Sequence, residues 1–306
     1  MAETRFDPAP AGRIISDALS LYREHFSLLA GISLLPIMLL LGFNFILPSA
    51  AGLQFIVRLV VVSLAHAALV LATCHLMLGQ QPGVMEIYRR VFTLTSLVTV
   101  IMGFTVSMLL VMLGVIFFVL PGILLGGLLV LVLPVIIVEG QLMTPSFARS
   151  VSLVKDNMPR AIGIFMFFAL VANLLPALPA VGYIYHILSS VDPTLTGEAM
   201  IKATEGVLDA NAMMLDVWLP VWLSFSSALT LPLGYLPVVL LYFSFTGAEG
   251  YGPHALAKRL GVELPGMGGD DHAMEETRPG DGEGEGEDRE AGGKEGGNDK
   301  DPERLN

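Results

Sequence analysis

Few side chains in this chain can do chemistry, and most of them stand at or inside long apolar runs. Glu139 closes one such run. A carboxylate costs on the order of 2.5 to 3.5 kcal/mol near the middle of a membrane span and less at its edge, so Glu139 calls for a cationic partner. Arg149 and Arg160 follow it, and a bidentate Arg–carboxylate pair would fix the next surface helix against the span. The other readings of Glu139 are handling of a substrate or proton, and plain exposure at the interface. Arg58 lies a few residues inside another apolar run, where snorkelling of its head to lipid phosphates competes with lining a polar cavity. His66 lies deeper in the same run. His66 and His75 are nine residues apart, about half a turn out of phase on a helix, which argues against a shared metal site. Neutral histidines bonded across a helix bundle are the default, with a proton relay or ligand site as the alternative.

The common catalytic constellations are missing. The sequence has no Gly-rich loop ending in Gly-Lys-Ser/Thr, no His-Glu-x-x-His, no Gly-x-Ser-x-Gly, and a single cysteine, Cys74. No cofactor is implied. The expectation is a protein that is not an enzyme.

Any site must therefore be positioned by membrane helices. Of 306 residues, 54% are hydrophobic and 15% charged, with a mean hydropathy of +0.69, a balance that leaves too little polar surface for a soluble domain. The net charge of −11 is concentrated at one end. Residues 262–306 hold 15 acids and 5 bases, whereas residues 1–261 hold 13 acids and 12 bases. No dense basic surface exists to displace counterions from nucleic acid, which is excluded as a partner.

Crossing a bilayer core takes about 20 apolar residues. Residues 26–47 form the first run, with Pro36 a kink, and residues 53–78 the second. Residues 94–138 carry no charge over 45 positions, about 68 Å of helix, and must cross twice. Pro121-Gly122 is the natural turn, which leaves 123–138 as a short fourth span or a re-entrant one. Gly122 and Gly126, four apart, allow close helix approach. Residues 161–188 and about 217–245 are the fifth and sixth spans, joined by a polar segment over 189–216. Pro220, Pro232, Pro237 and Gly234 bend the sixth.

Between spans lie amphipathic stretches. Thr144-Pro145 reads as a helix start, and Phe147, Val151, Val154 and Met158 share a face away from Arg149 and Lys155. Such a helix lies in the interface with its cations near lipid phosphates, and Pro159 ends it. In residues 11–24, Ile14, Ile15, Ala18, Leu19 and Tyr22 form a similar stripe opposite Arg13, Asp17, Ser20 and Glu24. Segments beginning at Ala18, Glu86 and Ala148 each place basic residues on a short helix before a span, a weak parallel repeat.

Lys and Arg near span ends favour the cytoplasmic side. With the N-terminus inside, Arg5, Arg13, Arg23, Arg89, Arg90, Arg149, Lys155, Arg160, Lys258 and Arg259 are cytoplasmic, and the outer loops hold only Lys202. This predicts both termini in the cytoplasm, with Tyr183, Tyr185, Trp218 and Trp222 at the outer interface. The first residues lack the pattern of a signal peptide. The domain plan is an N-terminal segment over 1–10, a six-span membrane domain over 11–260, and an acidic Gly/Glu-rich tail over 261–306 expected to be disordered.

Pro121-Gly122-Ile123, then Pro134 with Val138-Glu139-Gly140, then Ala148-Arg149-Ser150 followed by Leu153 and Lys155, resemble the membrane domain of bacterial and archaeal glycerophosphodiester phosphodiesterases. The likeness covers roughly residues 11–258. It implies a stand-alone membrane domain, because the His-Arg-Gly element and metal-binding carboxylates of the catalytic barrel have no counterpart here, so the likeness carries no phosphodiesterase activity.

The expectation is thus an all-α polytopic inner-membrane protein with about six spans and cytoplasmic-side interfacial helices. Its expected role is that of a non-catalytic scaffold or regulator that binds anionic headgroups or a protein partner, with Arg89, Arg90, Lys155, Arg149 and Arg160 as the basic contacts. The alternative is a small transporter or permease in which Arg58, His66 and Glu139 line a substrate path.

Overall fold

The computed structural model describes residues 9–47, 51–94, 97–192, 194–250 and 252–262. The N-terminal segment up to residue 8 and the acidic tail from 263 onward lie outside the described residues. Among those described, every regular element is helical, and six helical stretches are long and apolar enough to cross a membrane. The all-α, six-span reading holds.

Helix α1 (Ala11–Glu24) ends where His25 leaves helical geometry, and α2 (Phe26–Ile46) follows with Pro36 inside it. The buried stripe of α1 is Ile14, Ala18 and Leu21, with Leu21 rather than Leu19 closing it. This face does not lie on lipid. It packs lengthwise on α12 (Leu219–Gly247). The Ala9 amide donates to Ser244 Oγ at 3.0 Å and the Tyr22 hydroxyl to the Leu229 carbonyl at 2.8 Å. Those acceptors stand 15 positions apart on α12, about 22 Å of helix rise. An amphipathic stripe reports that one face is apolar, and a neighbouring helix can cover it as well as lipid does.

Helix α3 (Ala51–Met77) leads to α4 (Val84–Leu94), which turns Ile87, Tyr88 and Val91 into the core. Tyr88 has a defined task. Pro36 has no N–H, so the carbonyl of Ile32, four residues earlier, lacks its helical donor. The Tyr88 hydroxyl donates to that carbonyl at 2.6 Å, and burial pushes the phenol well above its usual pKa.

Helix α5 (Leu97–Phe117) is 21 residues long, about 31 Å and enough for one crossing. The turn after it is at Phe118, which is extended, and Pro121-Gly122 falls inside the first turn of α6 (Val119–Leu129). The predicted turn was thus three residues late. Proline fits the first turn of a helix, where backbone donors are unpaired anyway, so Pro121 helps to start α6 rather than marking the bend. A Cβ on Gly122 would come within 2.5 Å of the Val115 backbone nitrogen, and one on Gly126 within 2.2 Å of the Phe165 ring. The two glycines admit different neighbours, α5 and the later helix that carries Phe165.

The fourth span is Val119–Glu139, 21 residues and of full length rather than short. It breaks after α6 and resumes as α7 (Val132–Glu139), in which residues Val132 to Val138 are all buried. Helix α8 begins at Met143, two residues before Pro145, and runs to Val154 without a capping bond from Thr144. Its buried face is Ser146, Ser150, Leu153 and Val154, while Val151 is exposed. The expected stripe through Phe147 and Val151 is rotated because serines, small enough for close packing, face α6 and α7 instead. Ser150 Oγ donates at 2.6 Å to the Leu128 carbonyl, one of the carbonyls left open at the end of α6.

A short 3₁₀ turn (Lys155–Asn157) precedes α9 (Met158–Ala169), which has Pro159 in its first turn. A π-helical turn (Leu170–Leu174) joins α9 to α10 (Leu175–Ser189), completing the fifth span. The segment read as merely polar contains α11 (Glu198–Ala210), none of whose residues is buried. After α12 comes α13 (Pro253–Leu260), which buries Leu256, Ala257 and Leu260 and was not foreseen. The pairs α1–α2, α4–α5 and α8–α9 each set an amphipathic helix before a span, as the three similar segments suggest, although they dock on different partners.

Tyr88→Phe should lower stability by about 1 to 3 kcal/mol, since it keeps the ring but strands the Ile32 carbonyl. Thermal unfolding in mild detergent measures it, and an unchanged midpoint would remove this role for Tyr88.

Candidate functional site

Two spans end alike. The fourth closes with Glu139-Gly140 and the sixth is followed by Glu249-Gly250, and both glycines have positive φ, 66° and 85°, a conformation that glycine adopts at little cost. Each turn delivers a carboxylate to the same arginine. Arg149 Nε donates to Glu139 Oε1 at 3.3 Å, and its Nη1 donates to Glu249 Oε1 at 3.2 Å while Nη2 contacts Glu249 Oε2. The expected Arg149–Glu139 brace is present, but the bidentate pair goes to Glu249. The repeated Glu-Gly at span ends was the sequence signal for that residue.

Glu139 is well satisfied. Its Oε1 also accepts from the Tyr242 hydroxyl at 3.0 Å, and Oε2 accepts from Gln141 Nε2 at 2.7 Å. With the Glu139 side chain 15% exposed and Arg149 29%, the pair is partly shielded and stronger than a surface ion pair. It joins α7, α8 and the end of α12.

Arg160, the other partner considered, does not reach Glu139. Its Nη1 donates to the Ala9 carbonyl at 2.7 Å and to Ser244 Oγ at 3.3 Å, its Nη2 donates to Asn157 Oδ1 at 2.7 Å, and the guanidinium lies 4.9 Å from the Phe245 ring centre. It ties the start of α9 to the end of α12. Arg90, expected to face lipid, is also engaged within the fold, at 2.8 Å from Glu86 and 3.2 Å from His75 Nε2. The Arg90 guanidinium holds the Glu86 carboxyl below its usual pKa. Because a guanidinium only donates, His75 Nε2 accepts, and the ring proton sits on Nδ1, which donates to Gln80 Oε1 at 2.9 Å. Of the expected basic contacts, Arg89 and Lys155 remain exposed without a side-chain partner among the described residues.

His66 is buried and its Nδ1 donates to the Val62 carbonyl at 2.8 Å, leaving Nε2 without a hydrogen bond. Phe104, Tyr235 and Phe168 surround the ring at centroid distances of 4.9, 4.7 and 6.1 Å. Arg58 is exposed near the opposite end of α3 from His75. The structure thus separates Arg58, His66 and Glu139.

Beside the Glu139 network lies an open cleft of about 530 Å³ between the end of α7, α8 and α13. Glu139, Gln141, Arg149, Lys258 and Arg259 line it together with Val138 and Ala255, and neither Arg58 nor His66 does. Arg259 Nε donates to the Val138 carbonyl at 3.3 Å, closing one of the open carbonyls at the end of α7. A Cβ on Gly140 would overlap the Arg259 guanidinium, so this glycine is needed both for its φ and for the close approach.

Comparison of the chain with protein-family models, with curated proteins and with solved structures gives no match.

A double-mutant cycle tests the brace. Glu139→Gln should cost about 1 to 2 kcal/mol and Arg149→Ala about 1 to 3, with the double variant at least about 1 kcal/mol less destabilised than their sum. Additive losses in thermal unfolding would show that the two side chains do not act together.

Proposed function

We propose that this protein is a non-catalytic membrane scaffold or regulator whose charged helix-end face binds a protein partner or anionic lipid headgroups, as the resemblance to a stand-alone membrane domain of the phosphodiesterase family implies. The observation that carries this reading is the division of labour among its cations. Arg90, Arg149 and Arg160 lock the fold, and Arg89, Lys155 and Lys258 are left exposed. A face built rigidly and lined with free cations suits recognition of an anionic surface, each basic residue contributing about 1 kcal/mol near charged lipid. The transporter reading has less support, since neither Arg58 nor His66 lines the cleft beside Glu139.

The proposed setting is the inner membrane, with six spans and both termini in the cytoplasm, supported by the bias of Lys and Arg. The one cysteine, Cys74, is fully buried, so introduced cysteines report orientation cleanly. Lys202→Cys should react with a membrane-impermeant maleimide in spheroplasts, and Lys155→Cys only after lysis. The reverse pattern would overturn the orientation.

The role itself is tested by mild-detergent purification with mass spectrometry of co-purifying proteins and lipids. Comparing the native chain with the Arg89→Glu/Lys155→Glu double variant uses two exposed sites that leave the brace intact. A stoichiometric partner lost in the variant is the expected result, and a native preparation without protein or anionic lipid would count against the scaffold.

A further inference from the structure

The open cleft between α7, α8 and α13 gathers more positive charge than the carboxylates of its network neutralise. Within it, Arg149 is neutralised by two carboxylates, Glu139 and Glu249. The Glu139 oxygens already accept three donors, from Arg149, Tyr242 and Gln141, so this carboxylate has no need of Lys258 or Arg259. Arg259 spends only Nε, on the Val138 carbonyl. Its two terminal amino groups have no hydrogen-bond partner among the described residues, and neither does the Lys258 ammonium. Helix α13 holds these two consecutive cations in place because Leu256, Ala257 and Leu260 anchor its other face in the core. Counting the five charged groups of the network leaves one excess positive charge beside the end of a membrane span, at Glu139.

We infer that this cleft is a binding site for a phosphate group, with the Arg259 fork and the Lys258 ammonium as its ligands. The chemistry fits in three respects. A guanidinium pairs two oxygens of a phosphate at once, and an ammonium adds a point charge to a third. The Arg259 fork is held by its bond to Val138 and by contact with Gly140, so little side-chain freedom is lost on binding. The apolar Ala255, partly exposed on α13, offers a surface for the carbon skeleton attached to the phosphate. The phosphate can belong to a lipid headgroup, since the cleft opens where a span ends, or to a soluble phosphate ester. The inference rests on the proposed recognition of anionic groups and specifies its ligand class.

The test is a thermal-shift titration of the full chain in mild detergent with dioctanoyl phosphatidate, glycerol phosphate and dioctanoyl phosphatidylcholine. A ligand that binds only the folded state raises the midpoint in a saturable way. Phosphatidate is expected to do so, and Lys258→Gln and Arg259→Gln should each weaken it by about tenfold, the loss of one charge-assisted contact, while Lys155→Gln should not. Lys258→Gln is the decisive variant, because the exposed Lys258 side chain makes no hydrogen bond or ion pair among the described residues and the unliganded midpoint should stay unchanged. Stabilisation by glycerol phosphate as well would assign the site to phosphate esters at large, and by phosphatidate alone to a lipid headgroup. Equal stabilisation by phosphatidylcholine, equal loss in Lys155→Gln, or no shift with either phosphate probe would overturn the site. Phosphate binding without any co-purifying partner or lipid would retain this site and remove the scaffold reading. A recovered protein partner with no phosphate shift would do the opposite.

Discussion

A carbonyl that loses its helical donor inside a slab without water must find another, because each unsatisfied polar group there costs several kcal/mol. This chain opens carbonyls at Pro36 in α2, after Leu129 within the fourth span and at the end of that span, Glu139. One carbonyl at each of these three places receives a side chain from a different short helix. Tyr88 of α4 closes Ile32, Ser150 of α8 closes Leu128, and Arg259 of α13 closes Val138. The short amphipathic helices are therefore clamps on the spans. Their positions follow from where the spans break, and the charged face exists because those clamps gather there.

The ion network is a second layer on the same frame. Once α8 is docked by Ser146 and Ser150, Arg149 on its flank points at the end of α7 and the end of α12, where two Glu-Gly turns present carboxylates. One arginine shared by two carboxylates orders a single side chain for two ion pairs, and its partners are held by turns of fixed geometry. Arg160 performs a similar task on the other flank, joining Ala9, Ser244 and the start of α9. With those cations committed, Arg89, Lys155 and the two cations of α13 carry unpaired positive charge. The sequence places basic residues on every surface helix alike, and only their partners separate structural cations from free ones.

Much of this architecture is legible in the sequence. Six apolar runs and the helix boundary near Pro159 follow from bilayer thickness and from the chemistry of proline, which act locally and need no knowledge of neighbours. The same holds for the need of Glu139 for a cation. The turn at Phe118 is not legible, because Pro121-Gly122 suits a helix start as well as a turn, and the choice depends on the contact of Gly122 with Val115. Nor is the orientation of α1 or the rotated face of α8, since an apolar stripe is equally satisfied by lipid and by protein.

What the sequence by itself determined is the class: an all-α chain of six candidate spans, with charge confined to their ends and one carboxylate, Glu139, in need of a partner. The tertiary structure decided which arginine answers it, brought in Glu249, Tyr242 and Arg259 across 100 or more positions, and left Arg58 and His66 out of the cleft lining. The reason is physical. Span length and capping are set by a residue and its near neighbours, whereas the pairing of a charge and the covering of a stripe depend on which helices the packed glycines, serines and prolines bring together.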